Sequence, residues 1–244
     1  METNNFKYVQ SEEISSTLSK TFIANVFSWM AAALVITSVV AYYFGVDKEL
    51  MSYLRTTDIR GHFHYTGLGI IVAISPLAII FGMGYGMRKW SYAAVLGLFL
   101  LFGALMGASL SYIFQMYTHA SIFTVFLSAA GMFGLMSVVG YTTKTDLTSF
   151  GSIMMMGLFG IVIASLINMF LPNNSTLNYI ISFIGVLVFV GLTAYDVQKL
   201  KRIGAGLEYG TEETKKLVLW GALDLYLDFI NLFMFLLRLF GDRK

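Results

Sequence analysis

Apolar residues run along this chain in long blocks, without the alternation of a strand or the one-sided stripe of a surface helix. A helix needs about twenty mostly apolar residues to cross a bilayer. Seven blocks reach that length: 22–45, 67–87, 91–115, 119–142, 150–171, 177–199 and 217–240. Each predicts a membrane-spanning helix. The third and fourth are separated only by Gln115–His119, which predicts a helical hairpin. The long connections, 46–66 and 200–216, are too short for a soluble domain. The expected organisation is a polar cytoplasmic tail, 1–20, followed by a seven-helix transmembrane domain, 21–244. The expected fold class is an all-α integral membrane bundle.

Composition agrees. Of 244 residues, 57% are hydrophobic and only 12% charged, against about 25% charged in an average soluble domain. A net charge of +2 points neither to nucleic acid nor to a strongly acidic partner. Without cysteine the chain has no disulfide, thiolate nucleophile or thiolate metal site. The opening METNNFKYVQSEEISSTLSK lacks the basic, apolar and small-residue regions of a signal peptide. The first apolar block therefore reads as a retained helix.

Basic residues orient the bundle. With seven crossings, Lys7, Lys20, Arg88, Lys89, Lys144, Lys199, Lys201, Arg202, Lys215 and Lys216 share the side of the N terminus. Lys48, Arg55, Arg60, Arg238, Arg243 and Lys244 fall opposite. The excess predicts a cytoplasmic N terminus, against the pull of the basic C-terminal tail.

Small residues predict close helix packing. Gly103 and Gly107 form a small-xxx-small step, and Gly131 with Gly134 and Gly157 with Gly160 read in the same sense. Pro172 ends the fifth block, and Pro76, after Ser75, predicts a kink inside the second. Trp90 and Trp220 read as interfacial anchors. Asn173 and Asn174 begin two overlapping N-x-S/T triplets in an outward loop.

Against this background three carboxylates stand out: Asp196, Asp224 and Asp228. A carboxylate at membrane depth costs roughly 2.5–3.5 kcal/mol on insertion scales, and such residues usually face protein or water. Asp224 and Asp228 are four apart and share a helix face, which continues through Gly221, Asn231 and Arg238. Asp196 lies roughly 9 Å inside the basic boundary at Lys201–Arg202, with Asp224 about 10 Å and Asp228 about 16 Å deep on the neighbouring helix. Asp196 can therefore reach either one. Two carboxylates held close in a low-dielectric site cannot both ionise cheaply, and they titrate as a pair. Such a pair can share one proton or hold a hard cation such as calcium. The plainer alternative is that these aspartates cap helices or pair with buried bases. Arg88 reads first as a snorkelling anchor; swung inward, it would close on Asp196.

Enzyme chemistry finds little footing. His62, His64 and His119 all fall in loops, so no histidines converge for a membrane zinc hydrolase. No histidine or lysine lies at depth to serve Ser109 or Ser111 as a base. The last block offers no lysine for a retinal Schiff base beyond Lys215 and Lys216 at its entrance, and no phosphate-binding glycine loop is present. No cofactor is expected.

The stretches TAYDVQKLK and LYLDFINLFMFLLRLFG resemble the Bax inhibitor family of transmembrane proteins. GALMGASLSYIF and YTTKTDLTSFGSIMMMGLFGIVIASLINMF are similar to its bacterial branch, and the likeness covers about residues 20–241. The resemblance implies seven helices with the last wrapped by the other six, in a bacterial inner membrane. It implies a pH-sensitive calcium leak channel, gated by an aspartate pair on the last two helices. By motif these are Asp196 in AYD and Asp228 in LYLDF. Asp224 matches a position that is acidic only in some relatives, and Arg88 is the nearest match to a closing arginine on the second helix. The same resemblance leaves open an interaction protein that regulates a membrane-anchored protease through its N-terminal tail. It also leaves open cation/proton exchange.

Overall fold

A computed structural model describes residues 2–57, 63–170, 175–207 and 210–244. His62, Pro172, Asn173 and Asn174, singled out above, lie outside the described residues. The helices are α1 (Glu2–Val46), α2 (Lys48–Leu54), α3 (Gly67–Lys89), α4 (Tyr92–Leu110), α5 (Ile113–Met116), α6 (His119–Thr142), α7 (Thr148–Phe170), α8 (Ser175–Ala205) and α9 (Glu212–Phe240). Strands β1 (Arg55–Thr57) and β2 (Phe63–Tyr65) pair antiparallel, with Thr56 opposite His64.

Six spans are long and apolar enough to cross a membrane: Thr17–Val46, Gly67–Lys89, Tyr92–Met116, His119–Thr142, Thr148–Asn168 and Ser175–Ala205. They coincide with the first six apolar blocks of the sequence. Ile71, Phe81, Leu135, Met156 and Phe170 are each more than two-thirds exposed. Soluble proteins avoid large apolar patches of this kind, whereas lipid solvates them. This is an all-α, multi-pass membrane protein. α9, 29 residues long, is not among those six; it carries Asp224, Asp228 and charged first turns. From Val218 to Leu237 none of its residues is exposed.

Several boundaries move from where the pattern placed them. The polar tail is helical from Glu2 and continuous with the first span; it contains no glycine or proline to stop a helix. The 46–66 connection carries structure of its own. Asp47 caps α2 by accepting from the Glu49 and Leu50 amides, and the β1–β2 hairpin follows. The third block divides at Ser111–Tyr112 into α4 and α5. α8 runs on to Ala205 and α9 starts at Glu212, so the second long connection shrinks to 206–211. α3 passes through Pro76 without a break. Proline leaves the carbonyl four residues back without its donor, and the Ser75 hydroxyl serves that carbonyl, on Val72, at 2.9 Å.

Two compact units share the chain. One comprises residues 28–122, 210–223 and 242–244. In it Gly107 meets the Thr37 carbonyl of α1, so closely that an added Cβ would lie 2.6 Å away. Gly103 is also close to α1, at Ala33, and the Thr37 hydroxyl donates to the Gly103 carbonyl at 2.8 Å. The GALMGAS step is thus a helix-packing contact. Arg55 stacks over Tyr65 and Tyr112, at 4.2 and 4.5 Å from the ring centres. Lys216, assigned above to a helix entrance, is buried and donates to the Met87 and Trp90 carbonyls at the end of α3.

The other unit comprises residues 1–27, 123–209 and 224–241. Here α8 is packed from several directions. An added Cβ at Gly140 of α6 would lie 2.2 Å from the Ala194 carbonyl oxygen, and one at Gly151 of α7 2.4 Å from the Tyr195 ring. Gly204 of α8 meets Phe22 of α1, and Gly185 meets Phe235 of α9. Phe229 of α9 sits edge-on to Phe126 and Phe133 of α6, at 5.3 and 5.6 Å. Among the described residues, Gly131, Gly134 and Gly160 have nothing within 4 Å, so three of the glycines picked out by spacing make no packing contact there, while Gly157 does meet Val188.

Candidate functional site

The close glycine contacts hold α8 firmly where it carries Asp196, and α9 runs beside it with Asp224 and Asp228 one turn apart. All three carboxylates meet in the second of these units. The Asp196 and Asp228 carboxyl groups are interacting neighbours across the two helices. Lys199, one turn after Asp196, lies 3.4 Å from Asp196 Oδ1 and 3.6 Å from Asp224 Oδ2. The groups form a gradient of exposure. The Lys199 side chain is 43% exposed, Asp224 23% and Asp196 14%, while Asp228 is only 5% exposed as a residue.

Asp228 is the anomaly. Its Oδ2 is buried and has no hydrogen-bond partner among the described residues. Buried polar atoms are nearly always satisfied, and a buried unpaired charge is far costlier than a buried neutral group. Two ionised carboxylates offer each other only acceptors. One shared proton turns the contact into a hydrogen bond, and one cation between them satisfies both. Such a pair can take up either a proton or a cation. Among the described residues no three acidic, histidine or cysteine side chains are placed to hold a metal ion together, so a cation here would complete its shell with water or carbonyl oxygen.

The plainer alternative, pairing with a base, describes Asp196 and Asp224 but not Asp228. Lys199 was not singled out from the sequence, although its three-residue spacing from Asp196 is the signal that finds it. Asn231 lies on the Asp224–Asp228 side of α9, half-buried, its amide donating to the Leu227 carbonyl. Arg88 is exposed in the last turn of α3, within the other unit. His64 and His119 are likewise exposed.

A clasp lies just beyond the site on α8. Gln198 accepts from the Leu147 amide and donates to the Thr145 carbonyl, both at 2.8 Å, binding the α6–α7 connection to α8. Arg202 reaches Asp146 at 2.7 Å and Gln198 Oε1 at 2.8 Å. Hydrogen bonds from Thr148, and then from Arg202, hold the Asp146 carboxyl well below the usual carboxylate range. A carboxyl depressed on folding contributes stability above its unfolded pKa and loses it only as pH falls through the folded one. The clasp should therefore stay charged from pH 5 to 8. Amide exchange in residues 143–147 should be the same at both pH values after correction for intrinsic rate, and Arg202→Ala should accelerate it several-fold. Faster corrected exchange at pH 5 in the native chain would show that the clasp itself titrates.

The sequence profile of the family described as "Inhibitor of apoptosis-promoting Bax1" matches residues 19–244. The chain belongs to the Bax inhibitor family. Among similar proteins is the inner membrane protein YbhL of Escherichia coli, 44% identical over 226 residues, 92% of this chain and 93% of that one. A protein of Borreliella burgdorferi is 40% identical over 223 residues, 91% of this chain and 92% of its own. Protein RP147 of Rickettsia prowazekii is 40% identical over 228 residues, 91% and 90% respectively. The family match takes in all three aspartates and begins two residues after the helical tail passes into the first span.

Proposed function

We propose that this Bax inhibitor family member is a pH-sensitive, low-flux cation pathway, a calcium leak across a bacterial inner membrane. In this reading α9 is the seventh crossing, sheathed by the other helices, with the N terminus in the cytoplasm. The observation that carries it is the buried, partnerless oxygen of Asp228 facing Asp196. A carboxylate is retained at such a place at a cost in stability, and intramembrane ionisable groups commonly mark ion or proton paths. A hard cation such as calcium favours carboxylate, carbonyl and water oxygens, and protons compete for the same atoms. Protonation of the pair weakens its hold on the cation and resets a latch involving the second membrane helix, where the resemblance places Arg88.

The test is calcium entry into vesicles that contain the purified protein and an internal calcium dye, measured from pH 6 to 8. Native protein should admit calcium above the level of empty vesicles, with a rate that depends on pH, and Asp196→Asn and Asp228→Asn should each remove that dependence. Entry that saturates and drives protons the other way would identify an exchanger. Entry equal to empty vesicles at every pH would refute the pathway and favour a regulator of a membrane protease, whose handle would be the polar stretch 1–20.

A further inference from the structure

Lys199 has no part in the aspartate pair, yet it is the one base among the described residues that forms ion pairs with these carboxylates. Its ammonium bridges two helices, with Asp196 on α8 and Asp224 on α9 both within 4 Å. The charge also acts on Asp228, and Tyr195 is a further titratable neighbour of Lys199. We propose that Lys199 is a tethered counter-ion of this site: its ammonium holds Asp196 and Asp224, and a cation of the calcium class must displace it to bind there. The inference rests on the cation-pathway reading and adds to it a residue that sets occupancy.

Three observations support it. First, Lys199 covers the outer carboxylates only, since Asp228 Oδ2 remains partnerless and buried beside Asp196. The site is thus half-filled, open at its inner oxygen and occupied at its outer ones. Second, the Lys199 side chain is 43% exposed, and a lysine stem is flexible, with a compact charge at its tip. It can leave without disturbing the core. Third, three carboxylates face one ammonium, so once any two of them ionise the site is net negative, a charge that a divalent cation neutralises. Asp224 lies one turn from Asp228 on the same helix face, so the group that anchors the lysine is next to the group left open. Asp224 thereby has a role that neither helix capping nor the aspartate pair supplies.

The chain has no cysteine, which permits a clean test. Lys199→Cys removes the ammonium and introduces a single thiol. An aminoethyl methanethiosulfonate then restores an ammonium on a stem of similar length, through a mixed disulfide with loss of methanesulfinate. The methyl reagent makes the same disulfide without charge. At sub-saturating calcium, Lys199→Cys should raise entry into vesicles by about tenfold, the effect of removing one unit charge at about 4 Å in a partly screened site. The aminoethyl reagent should return entry to the native rate, and the methyl reagent should leave it high. Asp228→Asn should abolish the increase.

Entry that is sensitive to Asp228 but unchanged by Lys199→Cys, or altered equally by both reagents, would overturn the counter-ion while leaving the pathway intact. If native protein admits no calcium, the pathway reading fails, and occupancy is read instead from the rise in unfolding temperature on adding calcium in detergent. A larger rise in Lys199→Cys, reversed by the aminoethyl reagent alone, would sustain the counter-ion. An equal rise in both proteins, or none, would refute it.

Discussion

Asp228→Asn separates stability from function with effects of opposite sign. The asparagine keeps the size of the side chain and one acceptor oxygen but loses the charge and the proton. Asp228 is 5% exposed and its Oδ2 has no donor. A neutral side chain of the same size avoids the desolvation cost of a buried charge that lacks a partner. The variant should therefore unfold at a higher temperature than the native chain in the same detergent. Calcium entry should fall by about tenfold, equivalent to about 1.4 kcal/mol of lost cation stabilisation, and what remains should not vary between pH 6 and 8. Many functional sites trade stability for activity in this way. A lower unfolding temperature with unchanged entry would assign Asp228 a purely structural role and remove the basis for the pathway.

Gly140→Val should cause a large loss of stability. At Gly140 an added Cβ would lie 2.2 Å from the Ala194 carbonyl oxygen and 2.8 Å from two further backbone atoms of Ala194. Backbone cannot rotate aside as a side chain can, so α6 and α8 must separate. Overpacking costs about 1–3 kcal/mol where side chains can adjust, and more where they cannot. Ala194 lies two residues before Asp196, so the same displacement should disturb the carboxylate site. Gly160→Ala is the control. Nothing among the described residues lies within 4 Å of Gly160, and alanine favours helix over glycine by about 1 kcal/mol. Heating followed by size-exclusion chromatography should show early loss of the Gly140→Val protein and native behaviour of Gly160→Ala. Equal behaviour of the two variants would show that the close approach of α6 and α8 is not required.

The small-residue pattern shows where sequence reading stops. Spacing selected Gly103 and Gly107 correctly, because both lie on the face of α4 that α1 covers. It also selected Gly131, Gly134 and Gly160, which face open space, and passed over Gly140, Gly151, Gly185 and Gly204, which touch a neighbouring helix. A glycine in a membrane helix has the same local signature whether its missing side chain admits another helix or lipid. Only the rotation of the helix decides between them.

Length and apolarity were enough to locate six spans to within a few residues, because lipid imposes both on any helix that crosses it. The same reading could not show that Glu2 to Val46 is one helix, since a polar helix and a polar coil have similar composition. The β1–β2 hairpin was equally hidden, as three-residue strands are too short to show a period. The sequence also marked Asp196, Asp224 and Asp228, because a charge in an apolar block is visible in one dimension. It did not reveal which of them meet. The register of α8 against α9 sets Asp228 opposite Asp196 and leaves Lys199 between Asp196 and Asp224. That register is decided by contacts between the helices, such as Gly185 of α8 against Phe235 of α9, which no one-dimensional pattern displays, and so only the tertiary structure could supply it.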